Sequence, residues 1–168
     1  MIIETKAISP TEILIFLPQP LPIVGTFYCK DTNTQCEIIN NINQTSLSKE
    51  LLLTSDFLYI KSYSKEQLDD LKALSIAELD DFQKNAKKLY SSSENIEQKI
   101  ILILNLIVSP FLKKDGGDIE FVSLQNNMVS VRFLGKCNGC PYAMKTLKER
   151  VEKNLIHYLP EIKEAVLV

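Results

Sequence analysis

A single histidine, four cysteines and no surplus of positive charge narrow the chemistry open to this chain before any motif is read. Lysine and arginine number 19 against 21 aspartates and glutamates, the formal net charge is −2, and no basic stripe stands out. Nucleic-acid binding draws its affinity from clustered cations on phosphates, so a nucleic-acid partner is not expected. Four cysteines are too few and too scattered to staple a disulfide scaffold, and the placing of two of them as CxxC fits a reducing compartment. Long apolar runs are missing as well. The most apolar stretch, Ile100 to Val108, has nine residues and is broken by Asn105, far short of the roughly 20 that a membrane helix requires. It reads as a buried core helix, and no membrane partner is expected. The opening Met1-Ile2-Ile3-Glu4-Thr5-Lys6 lacks the basic-then-apolar look of a secretory leader and the Arg- and Ser-rich, acid-poor look of a transit peptide. The expected location is cytoplasmic, or the mitochondrial matrix for a processed eukaryotic precursor.

Other absences remove particular sites. Gly116-Gly117 is not followed by the lysine–serine pair of a phosphate loop, and helix termination into a hairpin explains the two glycines better. Asp115 and Asp118 have too few oxygen donors around them for calcium. The one histidine, His157, falls near the end of the last helix, about 25 Å from the CxxC at a helical rise of about 1.5 Å per residue. It reads as a solvated helix-end residue and not as a ligand. No residues are arranged for acid–base catalysis, so an enzyme is not expected.

What is present is enough for a folded core. With 168 residues, 45% hydrophobic and 24% charged, the chain suits one ordinary domain or two small ones. Strand patterns at Ile2 to Ile8 and Glu12 to Leu17 are separated by Ser9-Pro10, and Pro18, Pro20 and Pro22 then forbid regular structure. A short strand near Gly25 to Cys29 precedes a helix capped by Asp31 or Thr32 and running to about Asn41, with Cys36 on its apolar side. Leu51-Leu52-Leu53 and Phe57-Leu58-Tyr59-Ile60 read as a hairpin around Thr54-Ser55-Asp56. Ser64 caps a long helix with Leu68, Leu71, Leu74, Leu79 and Phe82 along one stripe. Residues 87–93 change composition and read as a linker, with Ser93 as the cap of the next helix. That helix carries Ile96, Ile100, Ile103, Leu104 and Ile107 on one side, is kinked or loosened by Pro110, and ends at Lys113-Lys114-Asp115-Gly116-Gly117. A hairpin follows, Asp118 to Leu124 and Met128 to Leu134. The last helix runs from Pro141 to about Tyr158 and buries Met144, Leu147, Val151, Leu155 and Tyr158; Ala165 to Val168 is a closing strand. The fold class is α+β in two small domains: residues 1–86 as β-β-α-β-β-α and residues 94–168 as α-β-β-α-β.

The chain is organised around Gly135-Lys136-Cys137-Asn138-Gly139-Cys140-Pro141. Two thiols three positions apart can face one metal or cluster edge, and glycine lets the backbone bend and come close. Pro141 suits the first position of a helix, which would set both thiols before a helix N-terminus, where partial positive charge favours thiolate. By itself the pair could be half of a zinc site, a redox dithiol or a cluster ligand pair. Asn138-Gly139 between the cysteines, with the proline after them, is unlike thioredoxin-type chemistry. Lys136 is either a residue that stabilises a thiolate or steers an acidic partner, or an ordinary loop lysine. Cys29 and Cys36 stand outside the motif and read as buried structural residues.

With those residues in view, roughly Glu94 to Val168 closely resembles the NifU C-terminal (Nfu) domain family of iron–sulfur scaffolds. Asp115-Gly116-Gly117-Asp118, the strand ending Val131-Arg132-Phe133-Leu134-Gly135, the CxxC with Pro141, Thr146-Leu147-Lys148 and Leu159-Pro160-Glu161 carry the resemblance, in order and at the family's spacing. Phe16-Leu17-Pro18 and the Ser55 to Ile60 hairpin are similar to the family's accessory N-terminal domain, although Ile8-Ser9-Pro10-Thr11 replaces its asparagine–proline and Ser109 stands before Pro110 where the family often has arginine. The resemblance implies that Cys137 and Cys140 ligate an iron–sulfur cluster, 4Fe–4S, shared between two chains of a homodimer. It implies a non-catalytic scaffold or carrier that receives its cluster from upstream assembly proteins and passes it to apo-proteins. A thiol–disulfide oxidoreductase using the same pair, and a zinc-stabilised interaction module, are the alternatives.

Overall fold

A computed structural model describes residues 3–30, 36–85, 89–90 and 94–168. The fold is α+β and divides into two compact units, Met1–Ser92 and Ser93–Val168. Leu89 and Tyr90, inside the expected linker, form a two-residue strand, and Ser93, the expected cap, lies outside the described residues.

The first unit holds strands β1 (Glu4–Ser9), β2 (Glu12–Phe16), β3 (Ile23–Val24) and β4 (Phe27–Cys29), helix α1 (Glu37–Asn43), strands β5 (Ser48–Leu53) and β6 (Phe57–Ser62), helix α2 (Lys65–Asn85) and strand β7 (Leu89–Tyr90). Four strands thus precede α1, where the sequence marked three and the β-β-α-β-β-α order counted two; β3 is the one it did not mark. β4 joins the main sheet, in the order β1-β2-β6-β5-β4, and β3 pairs with β7 in parallel. All neighbours in the main sheet are antiparallel, so alternate residues face α1 and α2. Ile13 and Ile15, Leu51 and Leu53, and Leu58 and Ile60 meet Ile38, Ile39 and Ile42 of α1 and Leu68, Leu71 and Leu79 of α2 in one core. Cys29 and Cys36 belong to that core at 1% and 0% exposure. Helix α1 begins later than the sequence suggested, with Cys36 in extended backbone just before it; Asp31 and Thr32 lie outside the described residues. Ser64 does cap α2, its Oγ accepting the Gln67 N–H at 3.3 Å.

The second unit contains α3 (Ile96–Ile103), a π-helical turn Leu104–Val108, α4 (Ser109–Lys114), β8 (Gly117–Gln125), β9 (Met128–Gly135), α5 (Ala143–Thr146), a second π-helical segment Leu147–Glu152, α6 (Lys153–Tyr158) and β10 (Glu164–Leu167). The sheet order is β10-β9-β8, with β8 and β9 antiparallel and β10 parallel to β9. Val129, Val131 and Phe133 alternate into the core and Arg132 out of it, where it pairs with Glu120 at 3.0 Å. Ile100, Ile103, Leu104, Val108 and Leu112 from the first helix, and Leu147, Val151 and Leu155 from the last, are all buried. The π-turn before Ser109 gives a physical account of Pro110: a proline has no N–H and its ring strikes the carbonyl four residues back, and the widened turn absorbs both. Lys99 on α3 is 2% exposed, which composition alone did not suggest; burial pushes its ammonium pKa down while Glu161 and Glu94 act against that.

Candidate functional site: the Cys137–Cys140 loop

The hairpin register builds the site. Gly117, the first residue of β8, pairs with Gly135, the last of β9, and this pairing holds the end of α4 beside the start of the cysteine loop. Gly116 has φ +77°, the left-handed turn that ends α4, with its N–H on the Lys113 carbonyl at 3.1 Å. Its own carbonyl accepts the Lys136 N–H at 3.1 Å. Gly135 has φ +59°, and a Cβ there would stand 2.6 Å from that same carbonyl. A Cβ on Gly117 would stand 2.1 Å from the Cys137 Sγ. The glycine pair of the Asp115–Asp118 motif therefore does more than end a helix: Gly117 is the floor on which the Cys137 thiol rests. The sequence signal was the second glycine, which a helix end alone does not require.

From Gly135 the chain descends through successive turns. Cys137 N–H donates to the Leu134 carbonyl at 3.3 Å, Asn138 N–H to Gly135 at 3.1 Å, Cys140 N–H to Cys137 at 3.4 Å and Ala143 N–H to Cys140 at 3.0 Å. Gly139, at φ +74°, bends the loop between the two cysteines and faces open space. Both thiol-bearing residues are half-buried, anchored through their backbones and open on one side. Lys136 is exposed, its stem lying over Gly116.

Asp118 joins two elements, α4 and β8. It accepts from Ser109 Oγ at 2.5 Å and from the Ile119 N–H at 2.9 Å, and pairs with Lys113 at 3.4 Å. Burial disfavours its charge, but these hydrogen bonds and the Lys113 charge outweigh it and hold the carboxyl below its usual range. Asp118 thus ties α4 to β8, a role that the sequence reading did not assign.

Three expectations about the loop are corrected. The helix starts at Ala143 and not at Pro141, because Pro141 and Tyr142 form a turn first. Met144 is not in the core; it is 58% exposed. The Cys137 thiol is not favoured as thiolate by the chain alone: burial, then the neighbouring Cys140, Asp115 and Asp118, push its pKa up. A helix end acts only across its first turn, and α5 is a short element that begins three residues after Cys140.

His157 is exposed in the last turn of α6, edge-on to Tyr158. Cys29 and Cys36 are core residues of the first unit. Among the described residues no three His, Cys, Asp or Glu side chains come together as a metal site, and no helix is long and apolar enough to cross a membrane.

The NifU-like domain model matches residues 100–166. The Fe/S biogenesis protein NfuA of Buchnera aphidicola subsp. Acyrthosiphon pisum (strain Tuc7) is 31% identical over 166 residues, covering 92% of this chain and 81% of that protein. The chain belongs to the Nfu-type NifU-like family. The likeness to this family extends through both units: NifU-like protein 4, mitochondrial, of Arabidopsis thaliana is 26% identical over 182 residues, covering 97% of this chain and 64% of its own length. A shorter match, 34% over 80 residues, joins 47% of this chain to 44% of the NfuA of Wigglesworthia glossinidia brevipalpis.

Proposed function

We propose that this Nfu-type chain is an iron–sulfur cluster carrier, in which Cys137 and Cys140 ligate a 4Fe–4S cluster shared with a second copy and release it to apo-proteins. The observation that carries the reading is a pair of half-buried thiols on a glycine-floored loop with no third donor gathered beside them among the described residues. The kinship with proteins named for Fe/S biogenesis supports it. A cubane cluster takes four thiolates. One chain offers two, and a two-fold axis supplies the same two again.

The loop suits cargo that must leave. Its open side admits an acceptor thiolate, which bonds to iron as a Cys137 or Cys140 thiolate departs and takes up a proton. Electrons and iron valence are unchanged, so the exchange needs no redox partner. No general acid or base is invoked, which makes this a carrier and not a catalyst. Its cluster comes from an upstream assembly protein, and the chain works without a membrane or nucleic acid, in the cytoplasm or the mitochondrial matrix.

Anaerobic reconstitution with ferrous iron and sulfide tests the reading. A brown species with about four irons per two chains and a shift from monomer to dimer is expected. Cys137→Ala or Cys140→Ala should abolish iron uptake while the fold, followed by circular dichroism, persists. A colourless chain that retains zinc, or a full cluster on a monomer, would overturn it.

A further inference from the structure

The two thiols are not held alike. Residues 136–138 are tied to the strand ends on either side: Lys136 N–H donates to the Gly116 carbonyl at 3.1 Å, Cys137 N–H to that of Leu134 at 3.3 Å and Asn138 N–H to that of Gly135 at 3.1 Å. The Cys137 side chain also has a bed, since a Cβ on Gly117 would collide with its Sγ. Cys140 differs. Its N–H reaches back to the Cys137 carbonyl at 3.4 Å, and its own carbonyl accepts the Ala143 N–H at 3.0 Å. Both bonds stay within the loop and the turn after it. Gly139 precedes Cys140 at φ +74°, with nothing within 4 Å of where its Cβ would be. A glycine in open space is where a chain turns most easily.

The bed is itself braced. Ser109 is 2% exposed, and its Oγ donates to Asp118 Oδ1 at 2.5 Å, the length of a hydrogen bond to a charged oxygen. The same Oδ1 accepts the Ile119 N–H at 2.9 Å, and Oδ2 pairs with Lys113 at 3.4 Å. A buried hydroxyl left without a partner is costly, which keeps Ser109 and Asp118 together. Asp118 directly follows Gly117. A shift of its carboxylate along α4 is therefore a shift of the surface under Cys137.

We propose that Cys137 is the fixed ligand and Cys140 the one that leaves first, with Ser109 and Asp118 as positioning residues that hold Cys137 in place through Gly117. This order rests on the cluster reading above and adds a direction to it. In the first exchange the acceptor's thiolate bonds to an iron, the Cys140–iron bond breaks, and the Cys140 thiolate takes a proton from solvent. Iron valence is unchanged. Cys140 swings away at Gly139, while Cys137 keeps the cargo on the chain until a second acceptor thiolate arrives. One firm and one yielding ligand let the cluster leave in steps without being dropped.

Pulse labelling with iodoacetamide tests the order, Cys137 and Cys140 being read separately by tandem mass spectrometry. In the empty chain Cys140 should be alkylated several-fold faster than Cys137. While bathophenanthroline removes iron from the anaerobically reconstituted chain, chains labelled once should carry the label at Cys140. Ser109→Ala and Asp118→Ala should bring the two rates towards each other. Asp118→Asn keeps an oxygen acceptor for Ser109 and Ile119 and should keep the ratio. A bond that serves stability alone would quicken both cysteines alike in these variants, and an unmoved ratio would overturn the positioning role. A ratio lost in Asp118→Asn but kept in Ser109→Ala would assign the effect to the carboxylate charge and overturn that role as well. Equal labelling, or Cys137 first, in the unaltered loaded chain would sink the order and leave the cluster reading standing. Failure of the unaltered chain to take up iron would remove the cluster reading and the order of release with it.

Discussion

The hydrogen on Gly117 occupies the place where any other residue would press a methyl group into the Cys137 thiol, 2.1 Å away. Gly117 is not among the positive-φ glycines, so alanine suits its strand backbone and the conflict passes entirely to the cysteine loop. Forcing a methyl into a packed site costs about 1–3 kcal/mol, roughly a 5- to 150-fold change in a binding equilibrium. Where the cysteine loop shifts to make room, Gly117→Ala should accordingly lower iron retention on reconstitution by about fivefold or more while shifting the urea midpoint little. Equal iron retention in the variant would show that the loop can shift without loss. The CxxC stands out in the sequence by residue type and spacing, although the pair alone leaves zinc, redox and cluster uses open. The floor does not stand out, since 20 positions separate Gly117 from Cys137 and only the Gly117–Gly135 pairing brings them together. The upward push on the Cys137 thiol comes first from burial, then from Cys140, Asp115 and Asp118, and burial is set by the hairpin and not by the chain around the cysteine.

At the scale of elements, alternation and helical stripes marked most strands and helices, and boundaries were where that reading strayed. Periodicity in the first and last helices of the second unit was clear, yet each contains a π-helical segment, Leu104–Val108 and Leu147–Glu152. A wide turn leaves no pattern of its own in residue type. The β8–β9 turn shows how a short connection serves the rest of the fold. Asn126 and Asn127 have φ +51° and +65°, the left-handed pair that a two-residue hairpin turn needs. Asn127 also donates from Nδ2 to the Glu161 carbonyl at 2.6 Å and accepts the Lys163 N–H on its own carbonyl at 2.9 Å, which fixes the approach to β10. Asn127→Ala should destabilise the chain by about 1–3 kcal/mol, combining left-handed strain with the lost hydrogen bond. Asn127→Gly removes only the hydrogen bond and should cost less. Urea unfolding of the two variants distinguishes them, and equal losses would argue against the strain component.

For the whole molecule, the separation of four cysteines into two kinds matters most. Cys29 and Cys36 sit in the core between the five-stranded sheet and α1, and burial pushes the Cys36 thiol pKa up. Cys29→Ala and Cys36→Ala should each lower stability by about 1 kcal/mol through lost packing and leave iron per chain unchanged on reconstitution. Loss of the cluster in either variant would mean that the four-thiolate set is completed within one chain.

The sequence by itself determined the α+β character, the hairpins and the pairing of two thiols three positions apart, because these follow from side-chain period and from fixed spacing along the chain. Tertiary structure alone decided that Gly117 supports Cys137, that Asp118 braces α4 on β8, and that Tyr142 and Met144 are exposed. Each depends on strand register or on where a helix begins, and a shift of one or two residues in either would have left the same sequence pattern with a different surface.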